Sequence, residues 1–168
     1  MTKKADFKYR VSQISGAEDL LNCYACGTCT AGCPVRALDP RYNPRRIIRR
    51  VLLGDEDILA GEEIWLCTSC YTCQERCPQN VRITDLINAL RNMAVEAGYS
   101  PPGIAMQSKF VADFGRLYEL SEFDNKKREK MGLPPVQISF AEIAALFPET
   151  AHTGDEPEKD KEKTNEAE

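Results

Sequence analysis

The chain has 168 residues, 22 Lys and Arg against 26 Asp and Glu, a formal charge of −4, and 8 cysteines. That length suits one domain with tails, and the apolar runs around Ile47–Leu53 and Ala141–Phe147 are too short, or too interrupted by Arg and Glu, to cross a bilayer. The charge balance offers no basic face for nucleic acid, and the opening Met1-Thr-Lys-Lys lacks the apolar stretch of a signal peptide.

Residues 1–14 place Phe7, Tyr9, Val11 and Ile14 in near alternation, the pattern of an extended arm that packs on the body or on a partner. Ser15-Gly-Ala-Glu18 reads as a capping box. It predicts a short helix through Leu20 and Leu21, both assigned to the core, that delivers the chain into a cysteine loop. That loop is Cys23-Tyr-Ala-Cys26-Gly-Thr-Cys29-Thr-Ala-Gly-Cys33-Pro34, and its spacing returns in Cys67-Thr-Ser-Cys70-Tyr-Thr-Cys73-Gln-Glu-Arg-Cys77-Pro78. Both copies read C-x2-C-x2-C-x3-C-P, the bacterial run for a [4Fe–4S] cubane, in which the fourth cysteine ligates the other cluster of a pair. Two [4Fe–4S] clusters are therefore expected, one on Cys23, Cys26, Cys29 and Cys77, the other on Cys67, Cys70, Cys73 and Cys33.

A tight loop can wrap thiolates onto three corners of a cubane, but a fourth from the same loop would strain it. Pro34 and Pro78 turn the chain toward the neighbouring cluster. Gly27 and Gly32 let the first loop pass close to the inorganic sulfurs. The second copy has Tyr71 and Arg76 there, which predicts a looser loop and unequal potentials. Structural zinc would join two C-x2-C knuckles across a longer spacer, and a disulfide framework would need export; both readings are weaker. The two motifs use every cysteine, so no thiol is left for a nucleophile or a redox disulfide.

Between the copies the pattern is helical. Asn43-Pro44 is an N-cap followed by Pro at the first helical position, and Gly54 is the stop. Ile47, Ile48, Val51 and Leu52 form an apolar stripe opposite Arg45, Arg46, Arg49 and Arg50. Such a cationic face is either solvated surface or, with Arg36 and Arg41, a means to offset cluster charge or to dock an acidic partner. Asp55–Ala60 adds a further turn, broken by Gly61, before Glu62–Leu66 enters the second loop. A long helical insert between the motifs argues for an α-helical ferredoxin rather than the small β-type.

Beyond Cys77, Val81 and Ile83 are placed to shield a cluster, and Thr84 to cap a helix running to about Ala97 and ended by Gly98. Its stripe is Leu86, Ile87, Leu90, Met93, Ala94 and Ala97, with Asn88, Arg91, Asn92 and Glu96 outward. Ser100-Pro-Pro-Gly103 breaks the chain. A helical pattern resumes over Ile104–Glu122, weakened at Gly115, followed by a charged connection Asp124–Lys130, a turn at Gly132-Leu-Pro-Pro135, and a second capping box Ser139-Phe-Ala-Glu142 opening a short helix. From Glu149 to Glu168 eight acidic residues meet three lysines, a net −5 that leaves +1 on the remainder. That composition predicts a disordered tail, and His152, the one histidine, falls in it. The expected organisation is an arm over 1–14, a dicluster domain over 15–98, a helical extension over 99–148 and the acidic tail over 149–168. The fold class is mainly α, an α-helical ferredoxin with helical C-terminal appendages.

The segment from Asp19 through the first motif, Asn43-Pro-Arg-Arg, and Trp65-Leu leading into the second motif together resemble the C subunit of heterodisulfide reductase. The likeness spans roughly Leu20 to Gly98, with a weaker echo at Gly132-Leu-Pro-Pro135. It implies an α-helical ferredoxin with two [4Fe–4S] clusters on the cysteines assigned above, part of an oxidoreductase and not catalytic alone. It further implies conduction of electrons, in the cytoplasm, from the flavin-containing A subunit to the disulfide-reducing B subunit. Alternatives are an iron–sulfur component of another flavin-dependent dehydrogenase or reductase, and a freely diffusing ferredoxin-like carrier. Neither the [2Fe–2S] domain that precedes such modules in succinate dehydrogenase and fumarate reductase, nor the Cys-Cys-Gly repeats of the glycolate and glycerol-3-phosphate dehydrogenase subunits, occurs in this sequence.

Overall fold

In the computed structural model, residues 4–138, 140–144 and 146 are described. Ser139 of the second capping box, His152 and the acidic stretch 149–168 lie outside them. The chain divides into two compact units, residues 1–99 and 100–168. Among the described residues there is helix and no strand. The mainly α class read from the sequence is what is found.

The first unit begins with helix α1, Phe7–Ser12, where an extended arm was expected. The apparent alternation is misleading, because Phe7 and Val11 are four residues apart and share one helical face. Both side chains are fully buried. They pack on a 3₁₀ turn, Glu18–Asn22, and on helix α4, Pro44–Leu52. Lys4 N–H donates to the Gly54 carbonyl at 2.9 Å, and Glu56 accepts ion pairs from Lys4 and Arg10, so the N-terminus is clamped to the end of α4.

The 3₁₀ turn is not opened by a capping box. Ala17 is its N-cap, and Glu18 accepts from the Gly16 N–H at 2.9 Å instead. Leu20 enters the core and Leu21 remains half exposed. Two short helices follow in the first cysteine motif, α2 (Thr28–Ala31) and α3 (Pro34–Leu38). Helix α4 starts as expected, with Asn43 accepting from the Arg46 N–H at 3.0 Å and Pro44 at the first turn. Its buried face is Pro44, Ile47, Ile48 and Val51, and Gly54 takes φ +76° just after its end. Two further 3₁₀ turns, Glu56–Ala60 and Glu63–Leu66, lead to the second motif, which contains helix α5, Thr72–Glu75. Helix α6, Ile83–Glu96, closes the unit and buries Ile83, Leu86, Ile87, Leu90 and Ala94 in the same core.

The packing repeats as the sequence does. α2 lies against α5, α2 also meets α4, and α5 meets α6, so each motif is backed by the helix that follows it.

In the second unit, helix α7 (Pro102–Phe114) stops at Gly115, which takes φ +69°. The glycine ends the helix that was expected to continue to Glu122. The stretch read as a charged connection is helix α8, Glu122–Lys130, capped by Ser121 and Asp124: the Ser121 N–H and hydroxyl donate to the Asp124 carboxylate at 3.0 and 2.7 Å. Asn125 accepts from the Val136 N–H and donates to its carbonyl, pinning the Pro134-Pro135 segment beside α8. A short helix α9, Ala141–Ala144, packs on α7. Among the described residues of this unit only Ala112 is buried.

Burial separates the two ends energetically. Phe7→Ala removes a fully buried ring and is expected to cost about 3–5 kcal/mol in anaerobic urea denaturation. Phe123→Ala, at a ring 64% exposed, should cost no more than about 0.5 kcal/mol. Equal, small effects would contradict the burial of Phe7 in the core.

Candidate metal centres

The two cysteine loops have the same backbone path. Cys23 (φ −70°, ψ 113°) and Cys67 (−65°, 127°) are extended. Ala25 and Ser69 take φ +64° and +52°, and Gly27 and Tyr71 take +88° and +61°. Gly32 and Arg76 are alike at φ −95°. The second loop is therefore wrapped as tightly as the first, against the expectation that Tyr71 and Arg76 would loosen it. A left-handed conformation costs a non-glycine residue roughly 1–2 kcal/mol. Three residues, Ala25, Ser69 and Tyr71, are held so to turn successive cysteines inward.

Gly32 serves a different end from the one assigned to it. Its φ is ordinary, but a Cβ there would come within 2.7 Å of Arg76 Nη1. Positions equivalent in the repeat thus meet where α2 packs on α5, one supplying a guanidinium and the other the room for it.

Around these loops lie two cavities. One is bordered by Cys23, Cys26, Cys29 and Cys77, together with Arg45, Ile48, Val81 and Ile83. The other is bordered by Cys33, Cys67, Cys70 and Cys73, with Val35, Tyr42 and Thr84. Each loop's three cysteines meet the fourth cysteine of the other motif. All eight are free thiols, and Val81 and Ile83 stand where shielding was expected. Among the described residues no three Cys, His, Asp or Glu side chains converge closely enough for a single metal ion. Four thiols around each cavity are the donor set of a four-iron cluster, one for each iron.

Hydrogen bonds reach the sulfurs from each side. Backbone N–H groups of Arg36, Ser69 and Val81 donate to Cys33, Cys67 and Cys77 at 3.5, 3.4 and 3.3 Å. Thr28 and Thr72 hydroxyls lie 3.4 and 3.6 Å from Cys26 and Cys70, and Thr30 and Thr84 lie 3.9 and 3.7 Å from Cys29 and Cys73. Such bonds tune the potential of a cluster bound there. In the metal-free chain they divide the thiols into two kinds. The threonine hydroxyls hold Cys26 and Cys70 below the usual thiol range, whereas burial pushes Cys29 up and Cys73 up to about 11. The outer cysteines ionise more readily than the inner ones.

Several contributors carry no mark in the sequence pattern. Thr84 does not cap α6, whose N-cap is Arg82; it is buried and turned to Cys73. Tyr42 is buried beside the second cavity, hydrogen-bonds Cys67, and has its phenol pushed up by burial. Arg91, expected to face outward, donates to the carbonyls of Ile64, Trp65 and Cys67 at 2.9, 3.3 and 2.6 Å and lies over the Trp65 ring. The threonines beside the loops left a legible trace, since both copies read Cys-x-Thr-Cys; Tyr42 and Arg91 left none. Of the arginines read as one face, Arg50 is tied to Asp55 and Glu63, and Arg41 to Asp39 and Glu62.

Comparison with known proteins agrees with this geometry. The model of the 4Fe-4S dicluster domain family matches residues 19–81. The chain is 43% identical over 118 residues to the C subunit of the ferredoxin:CoB-CoM heterodisulfide reductase of Methanosarcina mazei, covering 70% of this chain and 73% of the relative. It is 44% identical, with the same coverage, to the C subunit of the ferredoxin/F(420)H(2)-dependent CoB-CoM heterodisulfide reductase of Methanosarcina acetivorans. Over 134 residues it is 37% identical to the C subunit of the H(2):CoB-CoM heterodisulfide,ferredoxin reductase of Methanothermobacter thermautotrophicus, covering 77% of this chain and 72% of the relative. The cofactors are two [4Fe–4S] clusters.

Arg91 is the residue that fastens the entry to the second loop. Arg91→Met keeps the apolar stem and strips three carbonyls of their donor, with an expected loss of about 2–4 kcal/mol. Anaerobic release of iron to a chelator should then become biphasic, half leaving early, and Arg91→Lys should recover part of the retention.

Proposed function

This chain belongs to the family of heterodisulfide reductase C subunits, iron–sulfur components of a multi-subunit oxidoreductase, and we propose that it conducts electrons between two partners within that complex. The donor is the flavin-containing A subunit. The acceptor is the disulfide-reducing B subunit, such as one acting on the heterodisulfide of coenzymes M and B. Among the described residues no helix is long and apolar enough to cross a membrane, and we place the complex in the cytoplasm, where thiolate-bound clusters are kept from oxidation.

The observation that carries this reading is the pair of cavities, each bordered by four thiols drawn from both motifs. It supports the ligand assignment of Cys23, Cys26, Cys29 and Cys77 to one cluster and Cys67, Cys70, Cys73 and Cys33 to the other. When bound, the clusters supply one-electron chemistry. The chain's own residues hold and shield them: Ile48, Val81 and Ile83 wall one cavity, Val35, Tyr42 and Thr84 the other. With all eight cysteines committed, none is free to attack a disulfide. The sequence also has no dinucleotide fingerprint to hold a flavin or nicotinamide as a two-electron entry point. Conduction is the role that remains.

Alone, the chain should accept electrons from a reduced viologen but turn over no disulfide. Activity should appear when the flavin-containing and disulfide-reducing partners are added together, and should vanish when either cluster is removed by cysteine substitution. Disulfide turnover by the isolated chain would contradict a purely conducting role.

A further inference from the structure

We propose that Arg45 raises the potential of the first centre (Cys23, Cys26, Cys29, Cys77) and leaves that of the second unmoved. The inference rests on the conducting role and ligand assignment given above, and it adds to them a residue that sets a potential.

The two loops share a backbone path but differ in what lies on them. The Arg45 side chain lies beside the loop at Gly27, where a Cβ would stand 3.5 Å from its Cδ and 3.7 Å from its Nη1, in ordinary van der Waals contact. The arginine is fixed from behind. Its backbone N–H donates to the Thr30 hydroxyl at 3.0 Å, and that hydroxyl donates to Asn43, the cap of α4, at 2.9 Å. Arg45 borders the first cavity. At the equivalent loop position the second copy has Tyr71. Among the described residues no Arg or Lys borders the second cavity, whose wall beyond its cysteines is Pro34, Val35, Tyr42, Thr68 and Thr84.

Reducing a thiolate-bound cubane adds one negative charge. A cation at the cavity wall stabilises the reduced form more than the oxidised one, and so raises the potential. Hydrogen bonds to sulfur act in the same sense. The first centre receives them from Tyr24, Thr28 and Val81, and the second from Arg36, Ser69, Thr84 and Tyr42. The second centre has more of them, and the Arg91 guanidinium donates to the Cys67 carbonyl at 2.6 Å beside it, whereas Arg45 stands at the first.

The test is an anaerobic redox titration of the cluster-loaded full chain, followed by EPR, with signals assigned from Cys26→Ser and Cys70→Ser. Arg45→Gln should lower the reduced-to-oxidised ratio of the first centre about tenfold at a fixed potential, about 59 mV for a one-electron couple. The second centre should not move, and Arg45→Lys should keep most of the wild-type value. Arg45 is exposed, so in the unmodified chain raising the salt from about 0.01 to 1 M should lower the potential of the first centre relative to the second. This measurement holds even if the variant loads poorly. Equal shifts at both centres, no shift at either, or a gap indifferent to salt would overturn the inference. No partner protein is used, so failure of the conducting role would show separately.

Discussion

Two loops of matching dihedral sequence are held back to back where α2 packs on α5, and from there each motif sends its fourth cysteine to the cavity of the other. Most of the first unit follows from that constraint. Since Cys33 and Cys77 must cross, the chain needs a turn after each, and Pro34 and Pro78 supply it. The loops need a rigid backing, and α4 provides it behind α2 and α6 behind α5. Where equivalent positions meet, a symmetric pair of side chains would collide; Gly32 and Arg76 resolve this as hole and knob.

The same constraint couples folding to metal. Cys29 and Cys73 are buried thiols, and burial disfavours their ionised forms. Four thiolates gathered without iron would repel one another in a site of low dielectric. Left-handed Ala25, Ser69 and Tyr71 add strain that nothing local repays. Iron and sulfide supply the missing stabilisation, and the core built from Phe7, Val11, Ile47, Ile58 and Leu90 keeps the two halves in register while they bind.

The centres were legible in the sequence because a cubane imposes a spacing that almost nothing else requires, and the helix at Asn43-Pro44 because a cap and an N1 proline are local signals. Misreadings arise where local patterns compete. The alternation of Phe7, Tyr9 and Val11 coincides with the i, i+4 pair Phe7 and Val11, so residues 7–12 fit either state, and only the partner surface on α4 decides. Ser15-x-x-Glu18 has the letters of a capping box, but Gly16 at φ +93° diverts Glu18 to a different N–H. Ser121-x-x-Asp124 is a true capping box concealed by the charged run that follows it. Tyr71 looked unfit for a glycine's place because propensity weighs a residue alone, whereas here the surrounding ligands fix its conformation. Arg91 and Tyr42 act through carbonyls and a sulfur distant in sequence, and no local pattern marks them.

The exchange of cysteines between motifs is tested most directly by Cys77→Ser and Cys33→Ser, read by EPR of the anaerobically loaded chain. The account predicts that Cys77→Ser alters the signal of the centre on Cys23, Cys26 and Cys29 and leaves the other unchanged, and that Cys33→Ser does the converse. Damage confined to the centre of the substituted residue's own motif would contradict it, and would mean that each motif closes its own cluster.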